Sequence, residues 1–327
     1  MSGTTVADPR AEAVAAVGGR FDARVLEPSP PAVNDPQFFA DDPAAPSPRT
    51  DDRPLLLPVP GGDVTWDDLA RTERALTTFC ADRWLGAWRP LAPIADADAF
   101  TRTRASLHAV AEHVVATARR RANGKIGLRF TTGGFGTPFF GRDGANVQVR
   151  VAHGELVVVR DRDVRREPVT TLRAAGLLAG VTPAAAPDLY EPATAVGVDE
   201  PLAFDGEAAR LIGDWYGFAC SVLEELRAEQ GAWRTRTQLW PEHFDLSIDL
   251  GDEQAANQGT FGASPGDAEH PLPYLYVTHW APVADDPFWD DEAFGGASLS
   301  YAALAGRADG RSTALAFFRA GVAALHR

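Results

Sequence analysis

Cysteine and methionine are scarce in this sequence, which contains 2 Cys and 1 Met among 327 residues. Two cysteines cannot form the multiple disulfides that hold small secreted domains together. Cys80 and Cys220 lie far apart and within helical patterns, so we expect buried thiols in a reducing compartment. A bridge between the two is the alternative. The cysteine content therefore predicts a cytoplasmic protein.

Long apolar runs are also absent. No segment approaches the roughly 20 apolar residues that span a bilayer as a helix. The N-terminal stretch lacks the charged and then apolar pattern of a signal peptide. Lys125 is the only lysine among 31 basic residues, a bias that GC-rich codons produce. We expect a soluble bacterial protein with no membrane partner.

Positive charge is in short supply, because 31 Lys and Arg face 45 Asp and Glu. The formal charge of -14 and the isoelectric point of about 4.9 describe an acidic protein that repels nucleic acid and anionic membranes. The one basic run, residues 119–121, ends a predicted helix, where cations are favoured by the helix dipole. We therefore expect no nucleic acid partner, and the sequence leaves the oligomeric state open.

Composition divides the chain into two parts. Residues 1–62 are rich in Pro, Asp, Ala and Ser and predict a disordered start and an extended Pro-rich arm. The remainder, residues 63–327, predicts a single globular body, since 45% of the chain is hydrophobic and supplies a sizeable core.

Hydrophobic periodicity predicts the elements of that body. Helical spacing is found over residues 65–86, 96–121, 205–231 and 312–326. Strand patterns cover residues 126–130, 147–151, 156–159, 239–250 and 274–280. The pattern predicts an α+β protein in which antiparallel sheets are flanked by helices.

The order of elements repeats along the body. A helix, strands, a glycine turn and a short helical piece occur in residues 63–185 and again in residues 200–327. These halves favour an ancient duplication as one interpretation, and the alternative is the default order of an α+β protein.

One segment, residues 239–250, combines strict alternation with chemistry. We interpret it as a single strand with Phe244, Leu246 and Ile248 on one face and His243, Asp245 and Asp249 on the other. An imidazole and carboxylates on one face can hold a metal or transfer a proton, although a solvent-facing strand carries the same residue types.

These residues belong to a larger polar cluster. The candidate site consists of His243, Asp245, Asp249, His270 and His279. A divalent metal, with His243, Asp245 and His270 as ligands, is one hypothesis for it, because imidazole and carboxylate suit zinc, iron or manganese. Structural hydrogen bonding is the alternative, and alternation places His279 on the face opposite Tyr274 and Tyr276. No cofactor is otherwise assignable.

Two other motifs are rejected on their local context. Ser264 fits the pattern G-x-S-x-G, but the prolines that follow forbid the helix that a nucleophile elbow requires. His108 and His113 are five residues apart, which rotates the second about 140° from the first on a helix. They cannot share a metal, and we expect one to lie at the edge of the core and the other to be exposed.

Several motifs resemble an uncharacterised bacterial family, a domain of unknown function. They are Gly124-Lys125-Ile126, the segment around Trp240 with Phe244-Asp245-Leu246, the segment Leu272-Pro273-Tyr274-Leu275-Tyr276, and Leu299-Ser300-Tyr301-Ala302-Ala303-Leu304. The resemblance extends from about residue 64 to the end and implies no activity, since none is established for the family.

The sequence therefore predicts binding of a small molecule, without an assignable catalytic activity. The candidate pocket lies between the halves and is lined by Phe135, Phe139, Trp240, Tyr274 and Tyr276. A metal-dependent hydrolase is the first alternative, so whether the protein is an enzyme stays open. A protein-interaction or structural role, in which residues 20–60 dock on a partner, is the second.

Overall fold

The computed structural model describes residues 55–56, 64–65 and 90–327, apart from positions 132, 139, 144, 161–162, 230–232, 236 and 253. Leu55–Leu56 (β1) and Val64–Thr65 (β2) pair antiparallel. The rest of the predicted arm lies outside the described residues, as does the predicted helix over residues 65–86 beyond Thr65, which belongs to β2.

The first half opens with a long helical segment. It comprises Ala97–Val110 (α1), a π-helical segment Ala111–Val115, and Ala116–Asn123 (α2). The Asp96 carboxylate accepts from the amide of Ala99 and caps the start, and Gly124 ends the helix with φ of 77°. The predicted bounds are therefore confirmed, whereas the π turn, which inserts one extra residue into the helical ladder, was not predicted.

A six-stranded antiparallel sheet follows, which we call the first sheet. Its main path has the order β3-β4-β6-β7-β8, and β5 pairs with β6. The strands are Arg129–Thr131 (β3), Gly134–Gly136 (β4), Phe140–Arg142 (β5), Ala145–Ala152 (β6), Glu155–Arg160 (β7) and Asp163–Pro168 (β8). A short helix, Leu172–Ala179 (α3), closes this half.

The helix Gly206–Glu229 (α4) packs between the two halves. Asp205 caps it by accepting from the amide of Ala208, and Trp215, Tyr216 and Leu223 are among its fully buried residues. It contacts α1, both sheets and the last helix. A Cβ at Gly213 would come within 2.7 Å of the Gly133 carbonyl, so glycine is what allows α4 to lie this close to the first sheet.

The second sheet is again six-stranded and antiparallel, with the main path β10-β11-β12-β13-β14 and with β9 paired to β11. The last helix, Gly310–Leu325 (α5), and a 3₁₀ turn, Tyr301–Ala303, complete the fold. The strands are Trp233–Arg234 (β9), Gln238–Trp240 (β10), Asp245–Gly251 (β11), Gly259–Ser264 (β12), Tyr274–His279 (β13) and Ala297–Ser300 (β14).

The single strand predicted over residues 239–250 is wrong. The chain reverses after Trp240, and β10 and β11 form a hairpin in which Trp240 pairs with Asp245 and Leu239 with Leu246. Phe244 closes the turn with φ of 55°, which is uncommon for an aromatic residue. Pro241, which cannot donate within a ladder, is the sequence signal for this break.

The architecture confirms the predicted α+β class with antiparallel sheets flanked by helices. Leu128 and Leu239 exchange backbone hydrogen bonds of 2.7 and 2.9 Å and join the edges of the two sheets. Buried residues from both halves form one contiguous cluster. Each sheet has five strands on its main path and one further strand off that path, and the duplication itself stays a prediction. No helix in the described part of the chain combines the length and apolarity needed to cross a membrane.

Candidate functional site

The described residues form a cavity of about 980 Å³ over the outer face of the second sheet. The inner face, with Leu246, Ile248 and Val277, packs into the core. Because strand residues alternate, the outer face carries polar and aromatic side chains on β11, β12 and β13. They are Asp245, Ser247, Asp249, Thr260, Ser264, Tyr274, Tyr276 and Thr278.

The walls of the cavity come from five other parts of the chain. Helix α1 supplies Arg104, Ala105 and His108, and the connection between α3 and α4 supplies residues 193–194. The turn before β11, the loop after β12 and the loop before β14 complete the rim. They contribute Trp240, Glu242, His243, Gly266, Asp267, Ala268, Glu269, His270, Ala293 and Phe294.

Asp245 is the most deeply buried acid of the cavity, with 5% of its surface exposed. Its Oδ2 accepts a hydrogen bond from the hydroxyl of Tyr276, and its Oδ1 has no hydrogen-bond partner. Burial raises the pKa of the Asp245 carboxyl to about 6, against the lowering effects of the Tyr276 hydroxyl and His243. An oxygen that is both desolvated and unpaired is costly for folding and is a feature of functional sites.

Two further carboxylates face the same space. Asp249 accepts from the Thr260 hydroxyl at 2.8 Å, and burial raises its pKa. Glu242, in the turn before β11, has a buried Oε2 without a hydrogen-bond partner. Burial raises the pKa of Glu242 as well, and the charge of Glu112 adds to that effect. The cavity therefore concentrates carboxylates in surroundings that disfavour their ionised form.

The turn that carries Glu242 is held by three hydrogen bonds. The Phe244 amide donates to Trp240 at 2.7 Å, and the Tyr216 hydroxyl donates to the Phe244 carbonyl at 2.6 Å. The His108 Nε2 lies 2.8 Å from the carbonyl of Pro241 and must carry the proton, since a carbonyl only accepts. His108 also stacks on the ring of Phe244. Burial lowers the pKa of His108, which favours the neutral imidazole.

Glu112, on the π-helical segment, fixes a second wall. Its side chain is fully buried and its two oxygens accept from the amides of Ala193 and Thr194 at 3.0 and 2.9 Å and from the Thr194 hydroxyl. His113 Nε2 contacts the same hydroxyl at 3.1 Å. A buried carboxylate with three donors orients the 193–194 segment toward the cavity. The expectation that one of the two histidines on this helix is exposed is wrong, because both His108 and His113 are partly buried.

Arg104 and His270 are engaged with the protein itself. Arg104 donates to the carbonyls of Pro271 at 2.8 Å and Asp267 at 3.4 Å. His270 Nε2 lies 3.0 Å from the Asp291 carboxylate, and its ring packs on Tyr274 with centroids 4.5 Å apart. These contacts hold the loop after β12 in place, and they engage the Arg104 guanidinium and the His270 imidazole with protein groups.

Of the predicted polar cluster, four residues line the cavity: His243, Asp245, Asp249 and His270. His279 does not, because it lies on the other face of β13, where Nδ1 donates to the Ala281 carbonyl at 2.9 Å. His243 is exposed and belongs to the turn rather than to the strand.

Within the described residues, no three His, Cys, Asp or Glu side chains are grouped closely enough to hold a metal ion. The set His243, Asp245 and His270 is therefore not assembled as a metal site.

Of the predicted pocket residues, Trp240, Tyr274 and Tyr276 line the cavity. Phe135 does not: it is fully buried in the core and packs edge-on against Phe244. Phe139 lies outside the described residues. The cavity contains residues from both predicted halves, since α1 supplies Arg104, Ala105 and His108 and the second sheet supplies its outer face.

Ser264 lies where strand β12 meets the turn that follows it. It ends β12, no helix follows it, and its Oγ accepts from the amide of Gly266 at 3.0 Å. The described geometry therefore lacks a nucleophile elbow.

Sequence reasoning missed Arg104, Glu112, Thr194 and Phe294 as parts of the site. The i,i+4 pair His108 and Glu112, whose side chains lie 4.0 Å apart, was a readable signal on the helix. Nothing in the local sequence marks Thr194, because its position depends on a contact with a residue 82 positions away.

Comparison with protein-family models, curated proteins and solved structures gave no match. The family resemblance stays a prediction.

Proposed function

We propose that this protein binds a small organic molecule in the cavity over the outer face of the second sheet. One observation carries the proposal: a cavity of about 980 Å³ contains Asp245, a buried acid with an unpaired oxygen, beside aromatic side chains. Small-molecule sites combine such a concave volume, on the order of 300–1,000 Å³, with apolar walls and a few oriented polar groups.

No catalytic activity forms part of the proposal. The alternative of a metal-dependent hydrolase requires a set of metal ligands, and the described residues contain no group of three His, Cys, Asp or Glu side chains that could hold a metal ion. An interaction role for residues 20–60 has no described contact in its favour. We include a cytoplasmic location in the proposal, since the free thiol of Cys220 suits a reducing compartment.

A screen for ligands by thermal shift tests the proposal. A compound at 100 times its Kd stabilises the folded state by about 2.7 kcal/mol, which raises Tm measurably. The cavity is then blocked with Ala105→Trp, because Ala105 is exposed and lies on the wall formed by α1. The matched control is Ala97→Trp, an exposed alanine of the same helix outside the cavity.

We expect hits that raise the Tm of the wild type and of Ala97→Trp but not that of Ala105→Trp. Hits that stabilise all three proteins equally would bind elsewhere and contradict the proposal. A broad screen without any saturable ligand would contradict it as well.

A further inference from the structure

The unpaired atoms of the cavity define what a ligand must bring. Asp245 Oδ1 and Glu242 Oε2 are buried oxygens without a hydrogen-bond partner. Both are acceptors when ionised, so only a donor can satisfy them. Asp245 is 95% buried, as its 5% exposure shows, and forms part of the cavity floor. The ligand therefore has to present N–H or O–H groups to this floor.

The charge of the lining favours a cation among such donors. Five carboxylates line the cavity against one guanidinium, that of Arg104. The Arg104 donors are directed to backbone carbonyls, and His270 lies beside the Asp291 carboxylate. The cavity thus presents excess negative charge, which a positively charged ligand compensates over the short distances of a partly desolvated site.

Aromatic rings complete a surface for a cation. Tyr274, Tyr276 and Phe294 form a triangle with ring centroids 6.1 to 6.4 Å apart, and Trp240 lies on the rim. A cation placed over such rings is attracted by their negative faces. A Cβ at Gly262 would collide with the Tyr276 ring, so glycine permits this ring to lie flat along the sheet.

We propose that the ligand is a small organic cation with a primary ammonium group that donates to Asp245, with Glu242 as a second carboxylate and the aromatic triangle around its apolar part. This inference rests on the proposed function. It assigns Asp245 and Glu242 as binding residues and the cation as the class of ligand.

Four probes with one common ring test this assignment by isothermal titration calorimetry at pH 8. Benzylamine carries charge and N–H donors, benzyltrimethylammonium carries charge alone, benzyl alcohol is a neutral donor, and benzoate is an anion. We expect benzylamine to bind at least about tenfold more tightly than each of the others, as a charge-assisted hydrogen bond allows. Equal or tighter binding of benzyl alcohol or benzoate would contradict the proposal that the ligand is a cation. Equal binding of benzyltrimethylammonium would contradict the proposal that the ligand donates a hydrogen bond to Asp245.

Variants test which carboxylates contact the ligand. Asp245→Asn should weaken the binding of benzylamine at least about tenfold, and Glu242→Gln, on the turn, should weaken that binding less. Asp290→Asn changes an exposed carboxylate outside the cavity and should bind like the wild type. Circular dichroism establishes that each variant is folded, and Glu242→Gln provides the test if Asp245→Asn does not fold. Wild-type affinity in every folded cavity variant would overturn the assignment.

The same experiment separates the two proposals. A screening hit that binds the wild type but not Ala105→Trp, together with no binding of benzylamine, would contradict the assignment of a cationic ligand and would still support the proposed function. Failure of both the screen and the four probes would overturn both.

Discussion

The first and second sheets are both antiparallel and six-stranded, and the apolar inner face of each packs against one common core. Their outer faces differ. On the first sheet, Val157 and Val159 are each 1% exposed and form an apolar cluster of their own. On the second sheet, the outer positions carry Asp245, Asp249 and Tyr276 around the cavity.

The difference shows how two similar antiparallel sheets can serve two purposes. Inner-face residues are required in both sheets, because they supply the hydrophobic free energy of folding. Outer-face residues are free to diverge, and the second sheet combines acids, aromatic rings and an accessible volume there. If this comparison is correct, inner-face substitutions should act alike in the two sheets and outer-face substitutions should not.

The largest expected effect concerns the inner faces. Phe135→Ala in the first sheet and Phe261→Ala in the second should each lower the free energy of unfolding by about 3–5 kcal/mol, because both rings are fully buried. Urea denaturation measures the loss. A variant Phe135→Ala with wild-type stability and impaired ligand binding would return this residue to the pocket predicted from the sequence and break the comparison.

The next effect concerns the buried acid of the second sheet. Burial raises the pKa of Asp245 from its ordinary 3.8 to about 6. Between these values the folded protein holds a proton that the unfolded chain has released, so the contribution of Asp245 to stability is fully present below pH 4 and is lost as pH rises through 6. The full loss is roughly 3 kcal/mol, at about 1.4 kcal/mol for each pKa unit. The titratable groups that face this carboxyl are Tyr216, Glu242, His243, Tyr274 and Tyr276.

Asp245→Asn removes this ionisation and isolates its contribution from that of the other groups. We expect the difference in unfolding free energy between the variant and the wild type to shift in favour of the variant as pH rises from 4 to 7, measured by urea denaturation at each pH. Parallel profiles would show that Asp245 does not titrate in this range, and the contrast between the two outer faces would lose its electrostatic basis.

A smaller expected effect compares how tightly the side chains on the two outer faces are packed. Val159→Ala in the first sheet should cost about 1.5–2 kcal/mol, since it removes two buried methyl groups' worth of apolar volume. Thr278→Ala in the second sheet should change stability by less than about 0.5 kcal/mol, because this half-buried side chain borders the cavity. Thermal and urea denaturation measure both. Equal losses would mean that the outer face of the second sheet is packed like the first.

Sequence patterns predicted the inner faces well and the cavity only in part. The helix from Asp96 to Gly124 and the alternation of Leu246 and Ile248 follow from capping and period, which are local properties. The strand Gly259–Ser264 was missed and assigned to a turn, because its glycines and small residues carry no strand signal until both neighbouring strands pair with it.

The candidate site shows the same division. Asp245 and Tyr276 could be placed on one face each by alternation, yet their contact depends on the register of three strands. The hairpin at Pro241 displaced His243 from the strand face, and the walls from α1 and from Thr194 arise through long-range contacts that no local pattern specifies. Residue types therefore indicated the chemistry, whereas its assembly required the tertiary structure.

The smallest effect probes the hydrogen bond between Tyr276 and Asp245. Tyr276→Phe removes the hydroxyl that lowers the pKa of Asp245 and leaves the burial that raises it. The pKa of Asp245 should therefore rise above its value of about 6 by about one unit, as expected for a hydrogen bond to a charged group. Carbon NMR of the carboxyl over a pH titration measures this shift. Tyr274→Phe is the matched control, because that hydroxyl donates to Asp267 instead. An unchanged pKa in Tyr276→Phe, or an equal rise in Tyr274→Phe, would show that the two groups are not coupled. Burial would then raise the pKa of Asp245 without an opposing hydrogen bond from Tyr276, and the outer face of the second sheet would differ from that of the first by one ionisable group rather than by a hydrogen-bonded pair.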